Sequence, residues 1–296
     1  MYVNDIANVI KCGILMYADD LKVFSTIGDI VDAHNLQTKI EILQKWAINN
    51  KLDINVGKCA VVSYTNAKSK IAFDYKINDC LIPRRSSFKD LGVTFNSTLS
   101  FKEHIGYVTK SAYSSMGIIM RNCGHLRNVE TLKMLYTTYV RPKLEYCSHV
   151  WSPHLQYLRN DLENIQRKFL KWLHFKKYGE YPPRGTEQAT LLNEFQLQKL
   201  VERRICCEVL FLRKLIAGEV DAPQLIQDIN LHVPRLNSKV RSSFQIEAAR
   251  IDVYKFAPMR RMCVEANSMC SSVDLFHCDV SEIRNAVKIA ADAIAS

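Results

Sequence analysis

The chain has no apolar run approaching the roughly 18 residues that a membrane span requires. Its first residues also lack the basic start and apolar core of a secretory leader. These absences point to an intracellular protein, cytoplasmic, nuclear or both, with no membrane partner. No Cys-x₂-Cys pair occurs among the ten cysteines. Structural zinc sites rely on such close pairs, so Cys263, Cys270, His277 and Cys278 lack the intervals of a zinc knuckle and no zinc is expected. The scattered thiols read instead as buried and reduced. A mostly disordered chain is excluded as well, because 48% of the 296 residues are hydrophobic. That length is enough for a sizeable core divided between two folding units.

Two adjacent carboxylates dominate what is there. Asp19 and Asp20 follow Gly13-Ile14-Leu15-Met16 and Tyr17-Ala18, and precede Leu21-Lys22-Val23-Phe24-Ser25. Two apolar runs of strand length around a short polar break predict a hairpin with Ala18-Asp19-Asp20 at its tip. Carboxylates are hard oxygen ligands suited to Mg²⁺, and a pair on a rigid hairpin suits a site that activates a hydroxyl and steadies a leaving pyrophosphate. An ordinary turn built from a favoured turn residue fits the same residues.

The formal charge is +10, and it is concentrated. Residues 98–177 hold thirteen Lys or Arg against five Asp or Glu, a surplus of eight. Basic residues on one face neutralise phosphates of a nucleic acid, although they also keep helices soluble. Interleaved Tyr107, Tyr113, Tyr136, Tyr139 and Trp151 fall at helical spacing and read mostly as core.

The pattern predicts an α+β chain: a small antiparallel sheet with a packed helix, then helices. Ile30, Ala33, Leu36, Ile40, Leu43 and Ala47 mark an amphipathic helix over 29–50. Ala60–Thr65, Ile71–Ile77 and Ser86–Phe95 read as short strands. Ser100-Phe101-Lys102-Glu103 has the form of a capping box ahead of the stripe Phe101, Ile105, Val108, Ala112, Met116, Ile119 and Cys123. Asn128 caps a second helix, which Arg141-Pro142 breaks. A third begins near Asn160, burying Leu162, Ile165, Phe169, Trp172 and Leu173 and leaving Arg159, Gln166, Arg167 and Lys171 outside. Gly179, Pro182, Pro183 and Gly185 mark a linker. Beyond it, Gln196–Gly218 and Val280–Ala295 read as helices around a looser stretch at Pro234–Ser243.

Several segments carry a resemblance. Val3-Asn4-Asp5-Ile6, Leu15 through Lys22, Leu43-Gln44-Lys45-Trp46 and Leu52 through Cys59 resemble the reverse transcriptases of non-LTR retrotransposons, particularly the jockey-like group. Phe88-Lys89-Asp90-Leu91-Gly92-Val93 is similar to that family's primer grip, and Val140 through Tyr146 with Val150-Trp151 to its thumb. Leu200-Val201-Glu202-Arg203-Arg204 and Leu212–Pro234 resemble the segment beyond. The resemblance runs from Val3 to about Phe244.

It implies a partial palm at 1–97, a helical thumb at 98–177, a linker at 178–186 and a helical carboxyl-terminal region at 187–296. The implied activity is RNA-directed DNA synthesis on a 3′-hydroxyl primer, with RNA template, DNA primer and deoxynucleoside triphosphates as partners and Mg²⁺ or Mn²⁺ as cofactor. Asp19 and Asp20 would hold the metals, and Lys58 would protonate departing pyrophosphate. Phe88, Lys89 and Gly92 would grip the primer; Arg141, Lys143, Arg167, Lys168 and Lys171 would hold nucleic acid. Family members carry another aspartate-bearing strand and a glycine-rich nucleotide-pocket helix before the hairpin, and Met1 starts after both. The expectation is the carboxyl-terminal half of a polymerase, inactive alone. The alternatives are a non-catalytic nucleic-acid-binding remnant and a folded relic.

Overall fold

A computed structural model describes residues 5–10, 12–65, 67, 71–233, 242–270 and 273–295. Val3 and Asn4 of the first motif, and 234–241 of the looser stretch, lie outside these. The chain falls into two compact units, Met1–Leu99 and Ser100–Ser296.

The first unit opens with α1 (Ile6–Val9) and the hairpin of β1 (Gly13–Tyr17) and β2 (Asp20–Phe24). Helix α2 (Ile30–Asn49) begins where the Asp29 carboxylate accepts the Asp32 amide proton at 2.8 Å, satisfying a backbone donor that the first turn leaves unpaired. Leu43, Trp46 and Ala47 meet Ile6 and Ile10, with Ile14, Met16, Leu21 and Val23 of the hairpin packed against them. Ala33 and Ile40 meet Tyr75 and Ile77 in a second cluster. Ile30, expected in this stripe, is 50% exposed, since it lies on the first turn ahead of the packed stretch.

The expected strands appear as short ribbons rather than one sheet. Strands β3 (Lys76–Ile77) and β4 (Cys80–Leu81) flank Asn78-Asp79, with φ of 49° and 61°. Strands β5 (Ser87–Asp90) and β6 (Val93–Asn96) flank Leu91-Gly92, with φ of 43° and 85°. Two left-handed residues in a two-residue loop match the twist of paired strands, and this breaks the expected single strand Ser86–Phe95 in two. Ala60–Thr65 forms only a bridge from Val61 to Arg84. Helix α2 also holds the β3/β4 ribbon: the Gln37 and Gln44 side-chain oxygens accept the Lys76 and Asn78 amides at 3.0 and 3.1 Å.

The second unit is helical. Helix α3 (Lys102–Asn122) has Phe101 at its N-cap in a left-handed conformation, so the helix starts one residue later than the Ser100 capping pattern places it. Its stripe from Ile105 to Ile119 is buried as expected. Helix α4 (Val129–Tyr139) starts at Asn128, whose side chain accepts the Thr131 amide at 3.0 Å. Proline then opens the short α5 (Arg141–Glu145), followed by α6 (Ser148–Trp151) and the long α7 (Gln156–Tyr178). The five apolar residues expected to be buried on α7 are all buried. Gln166, expected outside, is 1% exposed. It accepts the Tyr136 hydroxyl at 3.0 Å and donates to the Gln198 carbonyl at 2.8 Å, so an amide replaces solvent on both sides.

Helix α8 (Gln188–Glu194) leads to α9 (Leu200–Ile216), which starts later than expected because Gln196 is left-handed at φ 54°. Short helices α10 (Pro223–Gln227) and α11 (Asp252–Lys255) precede α12 (Pro258–Met269) and α13 (Val280–Ala295). Val209 and Leu212 of α9 pack with Met262, Ala266 and Met269 of α12 and with Ile283 and Val287 of α13. Of the ten cysteines only Cys263 and Cys278 are buried, fewer than expected; burial pushes the Cys263 thiol up to about 11.

Charges are buried here too. Arg261 donates to the Glu208 carboxylate at 2.9 Å, to the His149 carbonyl at 2.8 Å and to the Phe256 carbonyl at 3.1 Å. Arg204 is 1% exposed, with three guanidinium nitrogens lacking a hydrogen-bond partner among the described residues. Burial lowers its pKa, opposed by the nearby Glu163 and Glu208 charges. Removing the Arg261 head by Arg261→Met strands the Glu208 carboxylate and should cost about 3 kcal/mol in denaturant unfolding; a loss below about 1 kcal/mol contradicts this account.

Two histidines stack on phenylalanines: His149 on Phe211 at 5.0 Å and His154 on Phe256 at 4.0 Å. Burial, then the Arg261 charge, holds His149 below the ordinary imidazole range; burial does the same for His154. Below about pH 6.5 the unfolded chain therefore takes up protons that the folded one refuses, and stability falls with pH. The buried Glu208 and the half-buried Glu265, held above the ordinary range by burial, act in the opposite direction. Between pH 7.5 and 5.5 the melting temperature of a His149→Gln/His154→Gln double variant should consequently fall less than that of the parent. Equal falls would remove both rings from the account.

Candidate catalytic hairpin and nucleic-acid interface

The β1/β2 register pairs Tyr17 with Asp20, leaving a two-residue loop of Ala18 and Asp19, with Ala18 left-handed at φ 49°. Asp20 is thus the first strand residue and not part of the tip. The difference has a consequence for the hairpin faces. Alternation puts Asp20, Lys22 and Phe24 on one face with Tyr17 and Leu15 opposite them, while Leu21, Val23, Met16 and Ile14 face the core. Asp19 and Asp20 are both exposed.

On the aspartate-bearing face, Lys22 Nζ lies 2.6 Å from an Asp90 carboxylate oxygen. This ion pair joins the Asp19-Asp20 hairpin to the β5/β6 ribbon. Phe88 pairs with Phe95 and Lys89 with Thr94 in that ribbon, and Gly92 supplies the second left-handed position of its turn. Burial and the Asp90 charge raise the Tyr64 hydroxyl, placing Tyr64 in the same neighbourhood. Neither Lys22 nor Asp90 stood out in the sequence. The signal was there, as opposite charges inside two motifs that resemble one family.

Lys58 closes a single 3₁₀ turn, Val56–Lys58, and is exposed; Val56 packs beside the Ala33–Ile40 cluster. Among the described residues no group of three or more His, Cys, Asp or Glu could hold a metal ion. Asp19 and Asp20 offer two carboxylates, short of the donor set that a paired-magnesium site needs, so no step through a metal is derived from these residues.

In the second unit the five expected nucleic-acid contacts divide. Arg141 is partly buried, 3.9 Å from Glu145, whose carboxylate Arg203 also clamps with two hydrogen bonds. Burial and then the Arg203 charge lower the Arg141 pKa. Lys143 is exposed and donates to Ser115 Oγ at 2.6 Å. Arg167, Lys168 and Lys171 share the exposed face of α7. Arg167 donates to Gln188 at 3.1 Å, Lys168 lies 4.6 Å from the Tyr113 ring centroid, and Lys171 has no side-chain partner among the described residues. Of the aromatics read as core, Tyr136 and Trp151 are buried, whereas Tyr107 and Tyr139 are 58% and 59% exposed.

The RNA-directed DNA polymerase of the mobile element jockey from Drosophila funebris is 30% identical over 164 residues, 53% of this chain. This chain is homologous to the jockey polymerases. The Drosophila melanogaster jockey polymerase is 29% identical over the same length. Each match spans 18% of the polymerase, under a fifth of its length. An uncharacterised protein of Caenorhabditis elegans is 26% identical over 136 residues, 66% of that protein. No protein-family model matches the chain, and no solved structure does. The jockey homology agrees with the resemblance carried by the motifs. No helix among the described residues is long and apolar enough to cross a membrane.

The Leu91-Gly92 turn is the most specific local requirement of this site. A β-branched side chain at φ 85° is strained. Gly92→Val should cost about 1–2 kcal/mol, whereas Gly92→Asn should be nearly neutral, as read by chemical denaturation. Equal costs would argue against the left-handed turn.

Proposed function

We propose that the chain is part of a jockey-like reverse transcriptase, carrying the paired-aspartate hairpin of the palm and the basic helical unit that holds nucleic acid. The exposed hairpin end, with Asp19 in its turn and Asp20 at the first position of β2, in a chain homologous to RNA-directed DNA polymerases, carries this reading. In the assembled active site Asp19 and Asp20 would bind Mg²⁺ or Mn²⁺ together with a carboxylate that the described residues do not supply. The metals would activate the primer 3′-hydroxyl and steady the pyrophosphate. Lys58 would be the general acid for that pyrophosphate. Phe88, Lys89 and Gly92 form the primer-side ribbon, which Lys22–Asp90 ties to the aspartates. Deoxynucleoside triphosphates, RNA template and DNA primer are the partners of the complete reaction.

Arg167, Lys168 and Lys171 would meet the phosphates of an RNA–DNA duplex, with Lys143 as a further contact. Arg141, paired inside the unit, would support them from behind. With no third metal-holding carboxylate beside Asp19 and Asp20 among the described residues, the second reading is that these basic residues bind nucleic acid without chemistry.

The 296-residue chain by itself should not extend a primer on an RNA template in Mg²⁺ or Mn²⁺. Extension that Asp19→Ala abolishes would show that two carboxylates suffice and overturn the proposal of an outside ligand. Duplex binding should weaken steeply with salt. An Arg167→Glu/Lys168→Glu/Lys171→Glu variant should flatten the log–log salt slope by about three. An unchanged slope in filter binding would remove the α7 face from the interface.

A further inference from the structure

At its carboxyl-terminal end the exposed face of α7 changes character. Counting in steps of three and four, Lys168 and Lys171 are followed on the same face by Phe175 and Tyr178. These rings are not core: Phe175 is 37% exposed and Tyr178 53%. Gly179, left-handed at φ 84°, then ends the helix and turns the chain back. Tyr181 lands on Phe175, ring centroids 4.9 Å apart and planes within 17°, with Tyr181 itself 60% exposed.

The turn is held in place. His174 Nδ1 donates to the Glu180 carbonyl at 2.9 Å, the Gly179 amide to the Phe175 carbonyl at 2.9 Å, and Pro182-Pro183 stiffen the chain directly after Tyr181. Tyr178 donates its hydroxyl to Glu194 at 2.7 Å, and its ring lies 4.6 Å from the His174 ring and 4.7 Å from Lys177 Nζ.

Three exposed tyrosine and phenylalanine rings in a fixed arrangement would be costly to leave in water without a partner. The charge around them indicates its chemistry. Glu194 is neutralised by Lys177 at 2.9 Å. Arg184 is exposed and unpaired among the described residues, as is Lys171, and Glu180 and Glu187 are the remaining acids nearby. A flat π-surface beside a line of cations suits a polyanion that also offers flat unpaired rings.

We propose that Tyr181, Phe175 and Tyr178 form a platform on which unpaired nucleotides stack as a single strand leaves the duplex held by Arg167, Lys168 and Lys171. The proposal rests on the nucleic-acid reading of the α7 face, and adds to it a second subsite for unpaired RNA or DNA. Stacking of this kind is indifferent to base identity and needs only the ring.

Fluorescence anisotropy on the full chain tests it, with three labelled probes: a blunt RNA–DNA duplex, the same duplex with an unpaired RNA extension, and the extension sequence alone. The extended duplex should bind about five-fold or more tightly than the blunt one. Tyr181→Ala should remove that gain and leave blunt-duplex affinity unchanged, while Tyr181→Phe keeps it. Tyr181 is exposed, so thermal melting of the variant should match the parent.

Equal affinity of the parent for both duplexes, or a gain that survives Tyr181→Ala, overturns the platform while leaving the duplex reading intact. Tyr181-dependent binding of the single strand without blunt-duplex binding supports the platform and sinks the duplex reading. Binding of no probe overturns both. If Tyr181→Ala instead dissociates a self-associated species in sedimentation without altering oligonucleotide affinity, the rings are a protein contact and the platform is wrong.

Discussion

The second unit depends on burial of one side of α7. Leu158, Leu162, Ile165, Phe169, Leu170 and Leu173 are all at most 5% exposed, and each such side chain is worth about 1.5–3 kcal/mol of apolar transfer. Fixing that side fixes the rotation of a 23-residue helix. Helices α3, α4, α8 and α9 all pack against it. The opposite face then has no freedom: Arg167, Lys168, Lys171, Phe175 and Tyr178 are displayed along one line because the apolar residues between them are committed to the core. The functional surface is the complement of the packing pattern.

Much of this was legible in the sequence because it depends on local chemistry. The α7 stripe, the Asn128 and Asp29 helix starts, the break at Pro142 and the hairpin at Asp19 follow from periodicity, capping and turn preference, which act over a few residues. The features that escaped depended on partners far away in sequence or on a single backbone angle. Gln166 reads as a polar residue on a polar face until Tyr136 and the Gln198 carbonyl close around it. Helix α3 starts one residue after the position the Ser100 pattern marks because Phe101 adopts a left-handed conformation ahead of Lys102, which a sequence pattern does not reveal. Leu91-Gly92 falls inside the stretch Ser86–Phe95 that reads as one strand; the pair is a turn.

The candidate site shows the same division. The two aspartates are visible in any reading of the chain, but Lys22–Asp90 is visible only once both ribbons are folded. Arg141 and Lys143, two residues apart, look equivalent as cations and are not: one is committed to Glu145 inside the unit and the other lies exposed against two serine hydroxyls. Charge counting gives the sign of a surface. Burial decides which charges belong to it.

The three ribbons of the first unit have a kinetic consequence. Each pairs strands separated by two residues, so each ribbon closes a minimal loop, and only the Val61–Arg84 bridge among the described pairings of the unit spans a longer stretch. Chains dominated by such near-neighbour contacts fold quickly, since little loop entropy is lost before pairing begins. The slow part of building this unit is therefore docking the ribbons on α2. The Lys22–Asp90 contact, 68 residues apart in sequence, is among the last to form, so the aspartate hairpin takes shape before it meets the ribbon that would hold the primer.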